Sequence, residues 1–265
     1  MELKRIAVFR SPFKSKFGIP RQSGIVDEVE GEIVFEPQYG NVDAVRGLEH
    51  FRYLWLIWGF SANAHKATSP VVRPPMLGGN EHVGVFATRS PYRPNAIGLS
   101  SVRILRIDPG PIIRVAGADL MDGTPIYDIK PYLEYTDCHT DAGNGFTKCP
   151  PSHADEGEQP DRTQTTQDDN EADGCTENAG SQPTDKGLHR DDDRFQQPLR
   201  VVMPEEMRLL LPPTDRIAIV RLLELDPRPR YHNDPKRVYG MTFRDADIRF
   251  TVSEGTLTVV EIRKQ

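Results

Sequence analysis

Cysteine is scarce in this 265-residue chain: Cys138, Cys149 and Cys175 are the only three, all in one polar stretch and none in a CxxC pair. Such a set argues against a disulfide framework or a Cys-based zinc site and fits a reducing cytosol, so a cytoplasmic protein is expected. Long apolar runs are lacking too, and nothing approaches the roughly 20 residues of a membrane helix. Near the start the apolar run Ile6 to Phe9 is too short for a signal-peptide core, and no small-residue cleavage site follows it. Neither a secreted nor a membrane-embedded protein is therefore expected. There is no Gly-rich dinucleotide fingerprint, no P-loop, no GxSxG elbow and no HExxH spacing. Rossmann, nucleotide-hydrolysing and ordinary hydrolase chemistry thus have no sequence support. His50, His65 and His82 are scattered and read as surface or core residues, so no metal is expected.

Apolar residues make up 37% of the chain, below the globular average, so part of it is expected to lie outside any core. The formal net charge of -6 is unevenly spread. Residues 1–137 are close to neutral at +1, residues 138–198 carry -9, and residues 199–265 carry +2. The middle segment is rich in Asp, Gln, Thr and Gly and nearly devoid of apolar side chains, which cannot offset the entropy of ordering it. It reads as an acidic, disordered linker between a larger region, 1–137, and a smaller one, 199–265. An anionic partner stays open, because the field near a site decides that rather than the overall charge.

Short apolar runs punctuated by Gly and Pro make the first region mainly β. Strands are expected at Ile6 to Phe9, Gly31 to Phe35, Leu54 to Phe60, His82 to Ala87, Ser101 to Ile107 and Ile112 to Val115. One helix is expected from Val42 to Phe51, capped by Asn41. Many short strands with few helices predict a barrel or curved sheet. The last region reads as α+β. A helix from Pro204 to Leu211 is followed by one capped by Thr214, with Ile217, Val220 and Leu223 on its apolar face. A turn at Asp226 to Tyr231 precedes strands at Val238 to Phe243, Ile248 to Val252 and Leu257 to Ile262. A region this small is marginal alone and is expected to dock on the first.

Four clusters join Arg or Asp to Pro and Gly: IPRQSG (19–24), RPPMLGG (73–79), GVFATRSPYRPNAIGLS (84–100) and ADLMDGTPIYDIKPY (118–132). Each reads as a stiff loop carrying charged groups. Arg21, Arg73, Arg89 and Arg93 offer planar donors to carboxylate or phosphate. Asp119, Asp122 and Asp128 offer acceptors.

These clusters, with RSPFKSKFGIPRQSG and DAVRGLEHFRYLWLIW, resemble the TsaA-like family, whose best understood members are tRNA threonylcarbamoyladenosine methyltransferases. The resemblance runs from about Arg10 to Tyr135. It resumes at LELDPRPRYH and YGMTFRDADIRF, which resemble the accessory domain of bacterial members. It implies a mainly β fold, a TsaA-like single-sheet β-barrel that binds S-adenosylmethionine, followed by a small α+β C-terminal domain, working as a homodimer. It also implies methyl transfer to N6 of threonylcarbamoyladenosine at position 37, in the anticodon loop of a threonine tRNA. Cofactor contacts are implied at Pro20, Arg21 and Gln22, at Ser61 and Ala62, at Arg89 and Leu99, and at Asp122, Gly123, Thr124 and Pro125. Many members carry His near Ser61, and the family usually has Arg where Met76 stands. Arg89 suits the cofactor carboxylate and Leu99 an adenine face. Asp122 or Asp128 is the candidate general base, if one is used. Arg73, Arg93, Lys130, Arg228 and Arg230 are expected to meet RNA phosphates, with Tyr92 or Tyr231 available for stacking on an unpaired base. Two alternatives remain: a non-catalytic module that binds S-adenosylmethionine or RNA, and a methyltransferase with another acceptor.

Overall fold

The computed structural model describes residues 2–62, 69–77, 81–147, 198–228 and 234–264, without the Met76 side chain. Alternation makes the first strand one-sided: in β1 (Ala7–Arg10) only Ala7 and Phe9 are buried. β2 (Glu30–Phe35), β3 (Tyr53–Gly59), the short pair β4 (Val71–Val72) and β5 (Val83–Gly84), β6 (Ile97–Asp108), β7 (Ile112–Ala116) and β8 (Thr124–Pro131) follow. Six of them close into a barrel in the order β1-β2-β7-β6-β3-β8, with β8 returning to pair with β1. Every pairing is antiparallel, and closure removes the exposed edges that an open sheet would present. The barrel is filled by Phe9, Ile33, Leu54, Leu56, Val102, Ile113, Val115 and Ile126. Burying each large aliphatic or aromatic side chain contributes about 1.5–3 kcal/mol.

Three expectations are corrected. The single helix over Val42 to Phe51 is instead two 3-10 turns, Val42–Val45 and Leu48–His50, broken at Gly47, whose φ is +89°. The apolar spacing there is three residues, which matches a 3-10 repeat rather than 3.6. Asn41 does cap the first turn, its side chain accepting from the Asp43 N–H at 2.9 Å. His82 to Ala87 gives only the two-residue β5 and then a 3-10 turn at Val85–Ala87. The 118–132 cluster is not all loop, since its second half is β8. Pro125 lies near the start of that strand, where a missing N–H costs the ladder least.

A bulge in β8 decides which way its carboxylate faces. Ile57 stands opposite Asp128, yet Trp58 stands opposite Ile126, so Tyr127 is the extra residue. The face parity flips there. Ile126 enters the core, while Asp128 lies on the outer face with Ile57 and, one strand on, Leu99.

Beyond β8 the short α1 (Glu134–Asp137) is pinned to the barrel, because Asp137 Oδ2 accepts from Trp55 Nε1 at 2.8 Å and the Leu133 N–H at 2.9 Å. Residues 138–147 continue as mostly exposed turns. The expected disordered linker falls mainly on 148–197, which lies outside the described residues.

The C-terminal region contains β9 (Arg200–Val202), α2 (Glu205–Leu209), α3 (Pro213–Glu224), β10 (Tyr239–Phe243), β11 (Ala246–Ser253) and β12 (Thr256–Lys264). Its sheet runs β10-β11-β12-β9, with β9 parallel to β12. α3 buries Ala218, Ile219, Leu222 and Leu223 against that sheet, so its apolar stripe is rotated from the expected one and Ile217 is exposed. Thr214 lies inside the helix and Pro212 takes the cap position. The expected docking is present: Phe13, Val26 and Val29, from the loop between β1 and β2, are buried in the same core as α3 and β10–β12. Among the described residues no helix is long and apolar enough to cross a membrane.

Candidate cofactor and RNA site

Three segments converge at the 20–24 loop. The Arg89 guanidinium donates to Gln22 Oε1, joining that loop to the segment before β6. The Gly24 N–H donates to Gly117 O at 2.8 Å, joining it to the connection between β7 and β8. From the same connection Asp119 reaches inward, and its Oδ1 accepts from Ser100 Oγ at 2.6 Å. Ser100 is buried on the inner side of β6, and its Oγ accepts in turn from Trp58 Nε1 at 3.0 Å. Burial pushes the Asp119 carboxyl above the ordinary Asp range. The Ser100 bond opposes that shift most strongly, with the Ser23 N–H and the charge of Arg89 acting in the same sense. A carboxylate held among Ser100, Ser23 and Arg89 thus underlies the loop that carries Gln22.

Asp122 ties the start of the β1–β2 loop to the turn before β8. Its Oδ1 accepts from the Ser11 N–H at 3.1 Å and its Oδ2 lies 3.8 Å from Arg10. The turn's own donors are committed. Asp122 N–H donates to Phe13 O, Gly123 N–H to Phe9 O and Thr124 N–H to Met121 O, while Pro125 has none. The turn can therefore meet a ligand through acceptors and apolar edges, and not through backbone N–H groups.

The other expected positions spread more widely. Pro20 is buried and Arg21 exposed. Crowding by neighbours lowers the Arg21 pKa, and the nearby charge of Asp226 partly offsets this. Ser61 and Ala62 follow β3 as exposed turn residues. Leu99 is 57% exposed and points to the face of β6 opposite Ser100. Leu99 and Asp128, whose carboxylate lies 3.1 Å from Lys130 Nζ, therefore lie on the barrel's outer surface, apart from the Ser100–Asp119 network.

Among the cations, Arg73 is exposed, with its Nε 3.0 Å from His82 Nε2, and Lys130 is exposed beside Asp128. Arg93 braces its own loop by donating to Thr88 O at 2.9 Å. Arg228 turns inward, 7% exposed, and makes a two-bond pair with Asp226 at 2.8 and 2.7 Å. Arg230 and Tyr231 lie outside the described residues, as do His65, Gly78 and Gly79. Tyr92 is exposed, together with Phe86 nearby. Ser100 and Trp58 were not singled out from sequence, because an ordinary strand Ser beneath a Trp has no motif. The signal available was Asp119 itself, an acidic residue between Ala118 and Leu120 in a run that is otherwise apolar.

Comparison with known proteins places this architecture. Residues 8–138 match the tRNA-methyltransferase O N-terminal domain family, and residues 197–265 match the TrmO C-terminal domain family. A tRNA (adenine(37)-N6)-methyltransferase of Eikenella corrodens is 35% identical over 208 residues, covering 77% of this chain and 93% of that one. The Escherichia coli (strain K12) protein of the same name is 43% identical over 154 residues, covering 57% of this chain and 66% of its own length. A Methanothermobacter thermautotrophicus protein named "Probable S-adenosyl-L-methionine-binding protein" is 40% identical over 137 residues, covering 52% of this chain and 93% of that one. A crystal structure of TrmO from Pseudomonas aeruginosa superposes with a TM-score of 0.67 at 26% identity, covering 99% of this chain and 98% of that one. With both domain families matched in order around the same closed barrel, the chain belongs to the TrmO, or TsaA-like, family.

Proposed function

We propose that this chain is an S-adenosylmethionine-dependent tRNA methyltransferase that methylates N6 of the adenine at position 37. Its acceptor is threonylcarbamoyladenosine in the anticodon loop of threonine tRNA, and it works as a cytoplasmic homodimer. The observation that carries this reading is the convergence of Gln22, Arg89 and Asp119 on one loop of a TrmO-type barrel. That set suits the cofactor's chemistry. The exposed Arg89 offers a planar donor pair to a carboxylate, Gln22 adds a neutral polar contact, and Asp119 adds a partly buried negative charge near a cationic ligand. When bound, S-adenosylmethionine supplies a methyl group on a positively charged sulfur.

The chain's own residues then have three tasks. Arg89 and Gln22 fix the amino-acid end of the cofactor, and the Asp122 to Pro125 turn borders the nucleoside with apolar edges. Arg73 and Lys130 neutralise phosphate, which sets register on the RNA without reading bases. The acceptor N–H is flanked by a carbonyl and so gives up its proton more readily than a plain adenine amine. Alignment can then supply most of the rate. The N–C bond would form as the cofactor's methyl–sulfur bond breaks, its electron pair staying on sulfur as a neutral thioether, and the acceptor's N–H proton must leave. Asp128, half exposed on the outer face, and Asp122, bound to Ser11, are the two carboxylates proposed to receive it. The exposed Phe86, Tyr92 and Leu99, all within residues 84–100, are the apolar surface proposed for a partner subunit to cover.

The test is methyl transfer from radiolabelled S-adenosylmethionine to tRNA from a strain lacking its own enzyme. Label in threonine tRNA that digests to methylated threonylcarbamoyladenosine supports the proposal. Cofactor binding without any labelled tRNA overturns it in favour of another acceptor or a non-catalytic binding module.

A further inference from the structure

The β1–β2 loop, residues 11–29, has no regular secondary structure, yet it carries the proposed cofactor contacts Pro20, Arg21 and Gln22. A loop of that length stays ordered only if contacts elsewhere hold it. Its apolar anchors do not enter the barrel core. Phe13, Val26 and Val29 are buried in the core of the C-terminal domain, with the Phe13 ring set edge-on to Phe243 at 5.8 Å. Pro12 O accepts from the Arg244 N–H at 2.7 Å. Arg244 adopts a left-handed conformation, φ +54°, at the turn between β10 and β11. Gly18, φ +88°, lies so close to Met241 that a Cβ there would come 2.5 Å from its Cγ and 2.6 Å from its Sδ. Glu28 lies 3.6 Å from Arg221 of α3. The barrel side holds the loop by polar bonds: the Ser11 N–H donates to Asp122, Arg89 donates to Gln22 Oε1, and the Gly24 N–H donates to Gly117 O.

We infer that the C-terminal domain is the clamp that fixes residues 12–29 in the form presenting Pro20, Arg21 and Gln22 to the cofactor, with Met241 and Arg244 as its positioning residues. This rests on the proposed cofactor site and assigns the second domain a role in cofactor affinity rather than in RNA contact alone. Met241 touches no reacting group. It acts by filling the space against Gly18, so that the loop has one seat.

The experiment uses the full chain and isothermal titration with S-adenosylmethionine. Gly18→Ala adds both the clash with Met241 and the left-handed strain, and weakens cofactor binding at least tenfold. Met241→Ala alters no loop residue and weakens it about fivefold. In both, the KM for tRNA stays within about twofold, a split that general loss of fold would not give. Amide exchange speeds up over residues 17–23 in Met241→Ala, while the β3 and β6 amides keep their protection. A folded Met241→Ala with wild-type cofactor affinity and unchanged exchange overturns the inference. If neither variant folds, exchange in the wild type decides. Loop amides that open together with β10–β12 support the clamp, and loop amides that exchange like exposed chain refute it. A wild-type chain that binds no S-adenosylmethionine removes the proposed function itself, and the clamp falls with it.

Discussion

Ser100→Ala is the most informative single perturbation of the barrel. The Ser100 hydroxyl accepts from Trp58 Nε1 at 3.0 Å and donates to Asp119 Oδ1 at 2.6 Å, with the residue only 1% exposed. Removing it leaves a buried indole N–H without its acceptor, at about 1–3 kcal/mol, and strips a charge-assisted bond from Asp119, at about 1.5–3 kcal/mol. The combined loss is roughly 2.5–6 kcal/mol, a large share of the ~5–15 kcal/mol that holds a domain together. A fall in Tm on the order of 10 °C or more follows for a domain of this size. Ser100→Thr keeps the hydroxyl and should lose far less.

The loss also has a pH signature. Burial already raises the Asp119 pKa above its usual 3.8, and the Ser100 bond works against that rise. A raised carboxyl pKa means that the folded state holds the proton more tightly than the unfolded chain. The stability linked to Asp119 is therefore greatest below pH 3.8 and is lost as pH climbs through the folded-state value. Without Ser100 the carboxyl is pushed higher still, so the extra penalty grows over that same rise and levels off above it. The Trp58 part does not titrate. Thermal unfolding of wild type and Ser100→Ala at pH 4 and pH 8 should give a larger Tm gap at pH 8. An equal gap at both, or a gap under about 2 °C at pH 8, refutes the network.

Other outcomes follow from the same contacts. Arg89→Ala should weaken S-adenosylmethionine binding by about tenfold to a hundredfold, the worth of one charged hydrogen bond, in a titration where Tm barely moves. Asp137 is held below the ordinary carboxylate range first by the Leu133 N–H and then by Trp55. Its contribution is thus present above the usual Asp pKa and lost as pH falls through the lower folded value, so Trp fluorescence should shift in acid and the shift should vanish in Asp137→Asn. Arg228→Met leaves Asp226 buried without its partner and should cost about 3–5 kcal/mol in denaturant unfolding. It should leave the salt dependence of tRNA binding unchanged, whereas Lys130→Ala should reduce the slope of log K against log salt by about 0.7–0.9.

Much of the barrel was legible because its strands are short apolar runs set off by Gly and Pro. In Ile6 to Phe9 or Leu54 to Phe60 nearly every side chain is apolar, so the run marks a strand, and only pairing decides that Ala7, Phe9, Leu54 and Leu56 face inward. β8 was missed because its Pro and Asp residues look like turn chemistry, and only pairing with β1 and β3 makes a strand of them. The Val42 to Phe51 segment shows the opposite error. Its spacing of three fits one face of a helix in the sequence and a 3-10 repeat in the fold, and Gly47 at φ +89° divides it into two turns. The candidate site was legible as a set of loops and not as a geometry. Arg89 and Gln22 meet across 67 residues of chain, and the bulge at Tyr127 that turns Asp128 outward has no local signature. Arg228 looked like an exposed turn cation, and its burial depends on Asp226 and on Tyr239 from another strand.

The β1–β2 loop shows why such a site resists reading from the sequence alone. Its apolar residues answer to the C-terminal domain, while its polar groups divide: Ser11, Gln22 and Gly24 bond to the barrel, and the Pro12 carbonyl and Glu28 reach Arg244 and Arg221. Phe13, Val26 and Val29 carry no periodicity, because they are spaced by the surface they cover rather than by a helix or strand of their own. In the proposed site this sharing has a chemical use. Apolar contacts to one body fix where the backbone runs, which leaves the Gln22 amide to be set by Arg89 on the other. Two cores that share one loop also couple stability to cofactor affinity. Any loosening of α3 or β10 reaches Gln22 before it reaches the barrel strands, so loss of cofactor binding should precede loss of β structure when the C-terminal domain is destabilised.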